Sequence, residues 1–378
     1  MCMGQMACLS PVYAAEKEEN RLKDLLGLDI KEIEELVAGL GYPAFRAKQI
    51  FHWVQKKGAL SFQEMVNLPQ DMRELLVKEA FICSPQVSAQ VESASGDTAK
   101  FLLKYKDGSS IETVLMTYDR EDSRDRNTVC LSTQVGCGMG CLFCATGLSG
   151  MVRNLSAGEI VAQVWAAERF CQDNNLSKVT NIVYMGMGEP LANLPAVIKS
   201  ITLLNHPEGL NIGMRRVTVS TCGLVPQIYQ LADFNLGVTL AVSLHAAENN
   251  LRSRLMPVNK KFPIEDVLEA ARYFSAKTGR RVTYEYILLS GVNDREKDAR
   301  ALGRLLQGHL ANVNLIPANP VAETGFLRPL PQVVKKFAQI LASCGVNAYI
   351  REEKGTDISS ACGQLRRRLD KEESGASV

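Results

Sequence analysis

The sequence predicts an α/β fold built on a parallel sheet and preceded by a small helical module and a β-hairpin. Three observations point there. Beyond residue 127, short apolar runs alternate with longer stretches of helical period, the form that repeated βα units take in a sequence. Residues 22–81 carry the three-to-four spacing of amphipathic helices. Between these regions, two apolar runs flank Asp107-Gly108, a turn that suits a hairpin. The chain has 378 residues, 46% hydrophobic and 22% charged, which is enough for one large core and a smaller attached unit.

Residues 1–19 are mildly apolar but lack the basic start of a secretory signal, so a disordered extension is expected, with Cys2 and Cys8 as surface thiols. Residues 20–82 form the expected helical accessory domain. Ile33, Leu36, Val37 and Leu40 make one apolar face and Ile50, Phe51 and Val54 a second, with Gly41-Tyr42-Pro43 between them; Met72, Leu75 and Leu76 follow Pro69 as a third. Arg46, Lys48, Lys56 and Lys57 fall largely on other faces, which suits either a module that grips RNA or a structural cap with solvated charges. Residues 83–126 are the connector, with hairpin strands over 100–105 and 111–116 and a polar loop over 119–127.

The sheet is expected within 127–352, on strands over 129–131, 181–185, 217–220, 238–244, 282–288 and 313–316. Six such units make an incomplete barrel or an open doubly wound sheet. In either, side chains at the C-terminal ends of the strands converge on one site. Residues 353–378 form a polar C-terminal segment with a basic patch at Arg366, Arg367 and Arg368.

A net charge of +2 announces no nucleic-acid partner, so any RNA contact must rest on local charge. No apolar run reaches the roughly 18 residues of a membrane span, and no membrane association is expected. The 11 cysteines are odd in number, and three crowd into eight residues. That pattern favours a metal site in the reducing cytoplasm over disulfides.

Those three lie in Cys137-Gly138-Met139-Gly140-Cys141-Leu142-Phe143-Cys144, a C-x3-C-x2-C spacing that gathers three thiolates on one tight loop. A [4Fe-4S] cluster on three protein thiolates leaves one iron open to a small molecule. A structural zinc site closed by a distant fourth ligand is the alternative. Farther along, Gly186, Gly188 and Glu189 follow a predicted strand, where bare backbone and a carboxylate suit a ligand's amino group.

The cysteine spacing resembles that of the radical-SAM superfamily. Together with Ala145-Thr146-Gly147, Arg153-Asn154-Leu155, Met185-Gly186-Met187-Gly188-Glu189-Pro190, Ser243-Leu244-His245 and Ala361-Cys362-Gly363-Gln364-Leu365, it resembles the RlmN/Cfr family of RNA adenine methyltransferases from the helical module to Cys362. Glu189-Pro190 and Leu315-Ile316-Pro317-Ala318-Asn319-Pro320 look more like the RlmN branch, which acts on adenine carbon 2, than the Cfr branch, which acts on carbon 8.

The resemblance implies a partial (β/α)6 radical-SAM barrel with the helical domain and hairpin attached. It implies a [4Fe-4S] cluster on Cys137, Cys141 and Cys144, and S-adenosylmethionine held by Gly188, Glu189, Ser220, Ser243, Leu244, His245 and Asn319. It makes Cys362 the methyl carrier, Cys130 its resolving partner through a transient disulfide, and Glu112 the proton acceptor. The implied substrates are 23S rRNA and tRNA, with flavodoxin or ferredoxin as electron donor and a monomeric enzyme. Two other readings stay open: an activase that installs a radical on a partner protein, and a non-enzymatic RNA-binding module with a structural cluster. Cys83, Cys171, Cys222 and Cys344 match no role and read as inert thiols.

Overall fold

The computed structural model describes residues 22–118, 126–319, 321, 323–352, 354–360 and 362–365. The N-terminal extension with Cys2 and Cys8, residues 119–125 of the polar loop, Pro320, Ala361 and the basic patch at Arg366, Arg367 and Arg368 lie outside the described residues.

The helical module is where the periodicity places it. A short strand β1 (Lys23–Asp24) pairs in parallel with β2 (Ala80–Phe81), so the first and last residues of the module meet. Between them lie α1 (Ile30–Gly39), α2 (Phe45–Gln55) and α3 (Gln70–Glu79). A capping box of Asp29 and Glu32 starts α1, each side chain accepting from the other's backbone N–H. Ile33, Leu36 and Val37 of α1 and Ile50, Phe51 and Val54 of α2 are buried, as their spacing requires. Met72 is also buried on α3. The module docks onto the rest of the chain through Phe51, which meets the His206 ring edge-on at 4.6 Å, and through Lys199, which pairs with Asp29 and Glu32.

The connector is larger than a hairpin. Strands β3 (Gln86–Glu92), β4 (Thr98–Lys104) and β5 (Ser110–Tyr118) form an antiparallel meander. The expected pair corresponds to β4 and β5; β3 is additional. It is an edge strand with both faces largely exposed: Val87, Ala89 and Val91 alternate with polar residues, but that alternation covers no buried face. β5 then pairs antiparallel with β6 (Arg126–Cys130), so the meander and the parallel sheet are one sheet.

After β6 come the small antiparallel pair β7 (Gln134–Gly136) and β8 (Met151–Asn154), with the short α4 (Ala145–Leu148) between them, and then α5 (Ala157–Asp173). The βα repeat continues through β9 (Asn181–Tyr184), α6 (Leu194–Asn205), β10 (Val217–Thr221), α7 (Val225–Phe234) and β11 (Thr239–Ser243). It ends with α8 (Asn249–Leu255), α9 (Ile264–Thr278), β12 (Val282–Leu288), α10 (Glu296–Leu306), β13 (Ala311–Pro317), α11 (Pro331–Ser343) and β14 (Ala348–Ile350).

The ten-stranded sheet runs β14-β13-β12-β11-β10-β9-β6-β5-β4-β3, with every neighbour from β6 to β14 parallel. This order decides between the two architectures left open by the sequence. A doubly wound sheet reverses its strand order at a switch point. Here the parallel order never reverses, the order expected when right-handed crossovers carry the helices that pack between successive strands on one face. The result is a singly wound, open (β/α)6 partial barrel with β14 as a closing strand. β14 has three residues, two of them exposed, too short and too wet for an apolar run to reveal.

Phe51 anchors the module in the common core. Phe51→Ala removes a fully buried ring and is expected to cost about 3–5 kcal/mol. Urea unfolding checks this; a loss below about 1 kcal/mol would show that the ring does not support the docking.

Candidate active site

The strand ends carry the site. The loop between β7 and β8 holds Cys137, Cys141 and Cys144, all half-buried and free. Its shape is set by backbone contacts: the Cys137 N–H donates to the Gly150 carbonyl at 2.9 Å, and the Leu142 N–H to Leu255 at 3.0 Å. The three thiols line one cleft with about 850 Å³ of empty space, part of it open to solvent. Across it stand Gly188, Glu189, Ser220, Ser243 and His245. Residues from well-separated parts of the sequence thus face the cysteine loop, each just at or past a strand end.

Gly188 has φ +99°, and a Cβ there would come within 2.6 Å of Gln134. Only glycine fits such a position without strain. The turn it makes carries Glu189 inward, where the buried carboxylate accepts from the N–H groups of Leu191 at 3.0 Å and Cys222 at 2.8 Å. Burial raises its pKa, and those donors oppose the rise.

His245 is buried with φ +60°, a conformation rare outside glycine. Its Nδ1 accepts from the Ile287 N–H at 3.0 Å, and its carbonyl accepts from Asn293 at 2.8 Å. Burial first, and then the nearby Arg252 charge, lower its pKa to about 3. The ring is therefore neutral, and with Nδ1 accepting, Nε2 carries the proton as a donor. Phe143 of the cysteine loop meets the ring edge-on at 4.8 Å.

A second cavity, with about 540 Å³ of empty space, adjoins the first. Cys130 and Asn319 lie in its wall, and Cys362 and Arg351 line both spaces. Cys130 ends β6 and is buried; desolvation, with a further push from Cys362, raises its thiol to about 12, while Arg351 pulls the other way. The Asn319 Oδ1 is buried without a hydrogen-bond partner, as an acceptor waiting for a ligand donor would be.

Two expected residues sit differently. Leu244 is fully buried, and its side chain lines neither cavity; its backbone ties the site together, donating to Glu285 and accepting from Arg252. Glu112 is likewise not in either wall. It is buried on β5 in an ion pair with Lys100 at 3.2 Å, on the same face of the strand as the cavity-lining Val114 and Met116.

Sequence reasoning missed two arginines. Arg252 is fully buried, and its guanidinium donates to the carbonyls of Cys222 at 2.7 Å, Ser243 at 3.1 Å and Leu244 at 3.1 Å, pinning the ends of β10 and β11. Arg351 follows β14 directly, and recognising that strand would have placed it at a strand end. Of the four thiols read as inert, only Cys222 lines the cleft; Cys83 and Cys171 are buried elsewhere and Cys344 is half-buried.

Residues 131–302 match the model of the radical SAM superfamily, and residues 23–82 match that of the ribosomal RNA large subunit methyltransferase N-terminal domain. A protein of Desulfitobacterium hafniense named a probable dual-specificity RNA methyltransferase RlmN is 50% identical, over 93% of this chain and 98% of its own length. The chain belongs to the RlmN family of radical-SAM methyltransferases. A Moorella thermoacetica protein of the same name is 48% identical over 91% of this chain and 97% of its own. The crystal structure of a radical SAM methyltransferase from Sphaerobacter thermophilus superposes with a TM-score of 0.87 at 47% identity, covering 91% of this chain and 99% of that one.

The superfamily implies an iron–sulfur cluster and S-adenosylmethionine, and the donor set fits both. Three free thiols on one glycine-bearing loop face a cleft that also holds a buried carboxylate, a neutral histidine and, next door, an orphaned amide oxygen. Among the described residues, no three His, Cys, Asp or Glu side chains are arranged to hold a single metal ion.

The neutral state of His245 has a measurable consequence. The unfolded chain protonates a histidine near pH 6.5, whereas the folded chain resists down to about 3. Its contribution to stability is therefore complete above about pH 6.5 and is lost as the pH falls toward 3, by up to ~1.4 kcal/mol per pH unit. His245→Asn, which tolerates the backbone conformation, is expected to flatten the decline of stability between pH 6.5 and 4. Chemical denaturation across that range measures it; parallel profiles for both proteins would show that the ring titrates normally.

Proposed function

We propose that the protein methylates carbon 2 of an adenine in 23S rRNA, and of the adenosine 3′ of the anticodon in tRNA, through an S-methylcysteine on Cys362. The observation that carries this reading is the position of Cys362. It stands in the wall shared by the cysteine-loop cleft and the cavity that holds Cys130. One thiol can thus be served from two sides.

Carbon 2 of adenine is electron-poor, so polar transfer from a sulfonium methyl is ineffective there, while a thiolate takes that methyl readily. The Cys362 sulfur bonds the methyl carbon of S-adenosylmethionine, and S-adenosylhomocysteine leaves. Cys137, Cys141 and Cys144 would hold a [4Fe-4S] cluster. When bound, the cluster supplies the electron that cleaves a second S-adenosylmethionine reductively, giving the radical that takes hydrogen from the S-methyl group. Gly188, Glu189, Ser220, Ser243, His245 and Asn319 are the groups that would bind and orient the cosubstrate. The Leu244 backbone holds that wall in place.

The methylene radical carried by Cys362 adds to carbon 2 of the adenine, tying enzyme and RNA together, and the unpaired electron of the adduct would pass back to the cluster. Glu112, kept beside the site by Lys100, is the proposed acceptor for the carbon 2 proton. Cys130 then bonds the Cys362 sulfur; the bond from sulfur to the RNA-linked carbon breaks, its pair stays on carbon, and that carbon takes a proton. The resulting disulfide returns to two thiols through an external thiol reductant. The reading also calls for a one-electron donor of flavodoxin or ferredoxin type.

RNA contact falls to the helical module, whose counterpart in the matched family is an rRNA methyltransferase domain. Lys48 and Lys56 stand exposed there. Lys57 lies over the Trp53 ring at 4.1 Å, and Arg46 donates to Gln49 and to the Asn67 carbonyl, so these two also brace the module. The relatives' dual-specificity name supports two RNA substrates.

Cys130→Ala is expected to accumulate a covalent enzyme–RNA adduct on denaturing gels. Cys362→Ala is expected to lose all turnover, a drop of at least 10³-fold on the order of a lost covalent nucleophile, while keeping its iron. Normal methylation by Cys362→Ala would sink the carrier role. Mass spectrometry of digested product RNA is expected to show 2-methyladenosine; 8-methyladenosine would move the enzyme to the other branch.

A further inference from the structure

The chemistry proposed above asks two thiols in the wall of one cavity, Cys130 and Cys362, to act as nucleophiles in a fixed order. Cys130 is poorly suited to this by itself, because burial holds its thiol near 12. A thiolate needs a cation close by, and the surroundings supply two candidates. Lys354 is already engaged: its Nζ lies 2.7 Å from the Asp97 carboxylate and 4.5 Å from the centre of the Tyr118 ring. Arg351 is not. Its backbone N–H donates to the Leu315 carbonyl at 2.9 Å, extending the pairing of β14 on β13 and fixing where the side chain starts. Arg351 lines both cavities, and among the described residues its side chain makes no hydrogen bond or ion pair.

The charged and titratable groups that face it are Cys362 on the C-terminal segment, Glu285 on β12, Cys130 on β6 and Tyr118 on β5, with Glu352 and Lys354 in the same cavity wall. Cys362 exerts the largest of these influences on Arg351. Glu285 is partly satisfied elsewhere, accepting from Asn314 at 2.8 Å. Among the described residues no carboxylate is within ion-pair distance of Arg351, and the Cys362 and Cys130 thiols share its cavity wall, so a thiolate is an anion this guanidinium can stabilise there.

We propose that Arg351 is a positioning residue that stabilises the thiolate of Cys362 and then, after Cys362 has been methylated, that of Cys130. The order follows from charge. While Cys362 is anionic it occupies Arg351 and disfavours a second negative charge on Cys130. Methylation turns the Cys362 sulfur into a neutral thioether, which ends that repulsion and leaves Arg351 to the resolving thiol. Each ionisation releases its proton to solvent, and no redox partner is involved. The resolving cysteine would thus become reactive only once the carrier is loaded.

This inference rests on the carrier reading, but its test needs neither RNA nor S-adenosylmethionine, so the two can fail separately. The full-length, cluster-loaded protein is treated anaerobically with iodoacetamide from pH 6 to 10, and alkylation of Cys362 and Cys130 is followed by peptide mass spectrometry. Arg351→Gln is expected to slow Cys362 alkylation at pH 7.5 about tenfold and move its profile up by about one pH unit, with Arg351→Lys recovering much of the rate. In Cys362→Ala, Cys130 alkylation is expected to rise above the wild-type rate, and adding Arg351→Gln is expected to cancel the rise. An unmoved Cys362 profile in Arg351→Gln that retains its cluster absorbance overturns the proposal. Should that variant fail to fold, Glu285→Gln decides: removing the competing carboxylate is expected to move the Cys362 profile down, and no movement, or movement upward, overturns it.

Discussion

Right-handed crossover is the constraint on which the site depends. In the parallel part of the large sheet, β6 and β9 to β14, the strand order never reverses, so all the C-terminal ends open toward one space. Glu189 after β9, Ser220 near the end of β10, Ser243 at the end of β11 and Arg351 after β14 are neighbours in space for that reason alone. The cysteine loop leaves β7 on this side, and α8 supports it through the hydrogen bond from Leu142 to Leu255.

Bringing so many polar groups to one buried place is costly, and the structure meets the cost locally. Glu189 is held by backbone N–H groups, His245 is kept neutral, and Arg252 is surrounded by carbonyl oxygens. Arg252 acts as a clamp just past the ends of β10 and β11, where their ladder pairing stops. Among the described residues, by contrast, the Arg351 side chain makes no hydrogen bond or ion pair, and the Asn319 amide oxygen has no hydrogen-bond partner. Unsatisfied groups in an otherwise well-paired site mark where bound molecules and reacting atoms belong.

The meander that joins the helical module to the barrel has a structural part in this. Among its described residues the segment bearing Cys362 has no helix or strand, yet it is tied on two sides. On the meander side, Lys354 pairs with Asp97, the Ala94 N–H donates to Asp357, and Lys100 donates to the Ser359 carbonyl. On the cysteine-loop side, the Ala145 N–H donates to the Gly363 carbonyl at 2.8 Å, and Thr146 donates to Leu365 at 2.6 Å. Lys100 therefore connects Glu112 to the Cys362 segment, which brings two parts of the proposed chemistry under one side chain.

What the sequence by itself determined were the features whose cause is local. Thiol spacing along one loop, glycines that precede Glu189, helical period in the module and apolar strands of the inner sheet are all legible because neighbouring residues carry the signal. The edge strand β3 does carry a period-two signal, Val87, Ala89 and Val91 between polar residues, but a strand that buries neither face is easily passed over; the three-residue β14 is too short to leave any pattern. Only the tertiary structure decided between a singly and a doubly wound sheet, turned Leu244 into a backbone support, paired Glu112 with Lys100, and brought Arg252 and Arg351 to the site. Those outcomes depend on contacts between distant segments, and long-range packing has no period along the chain.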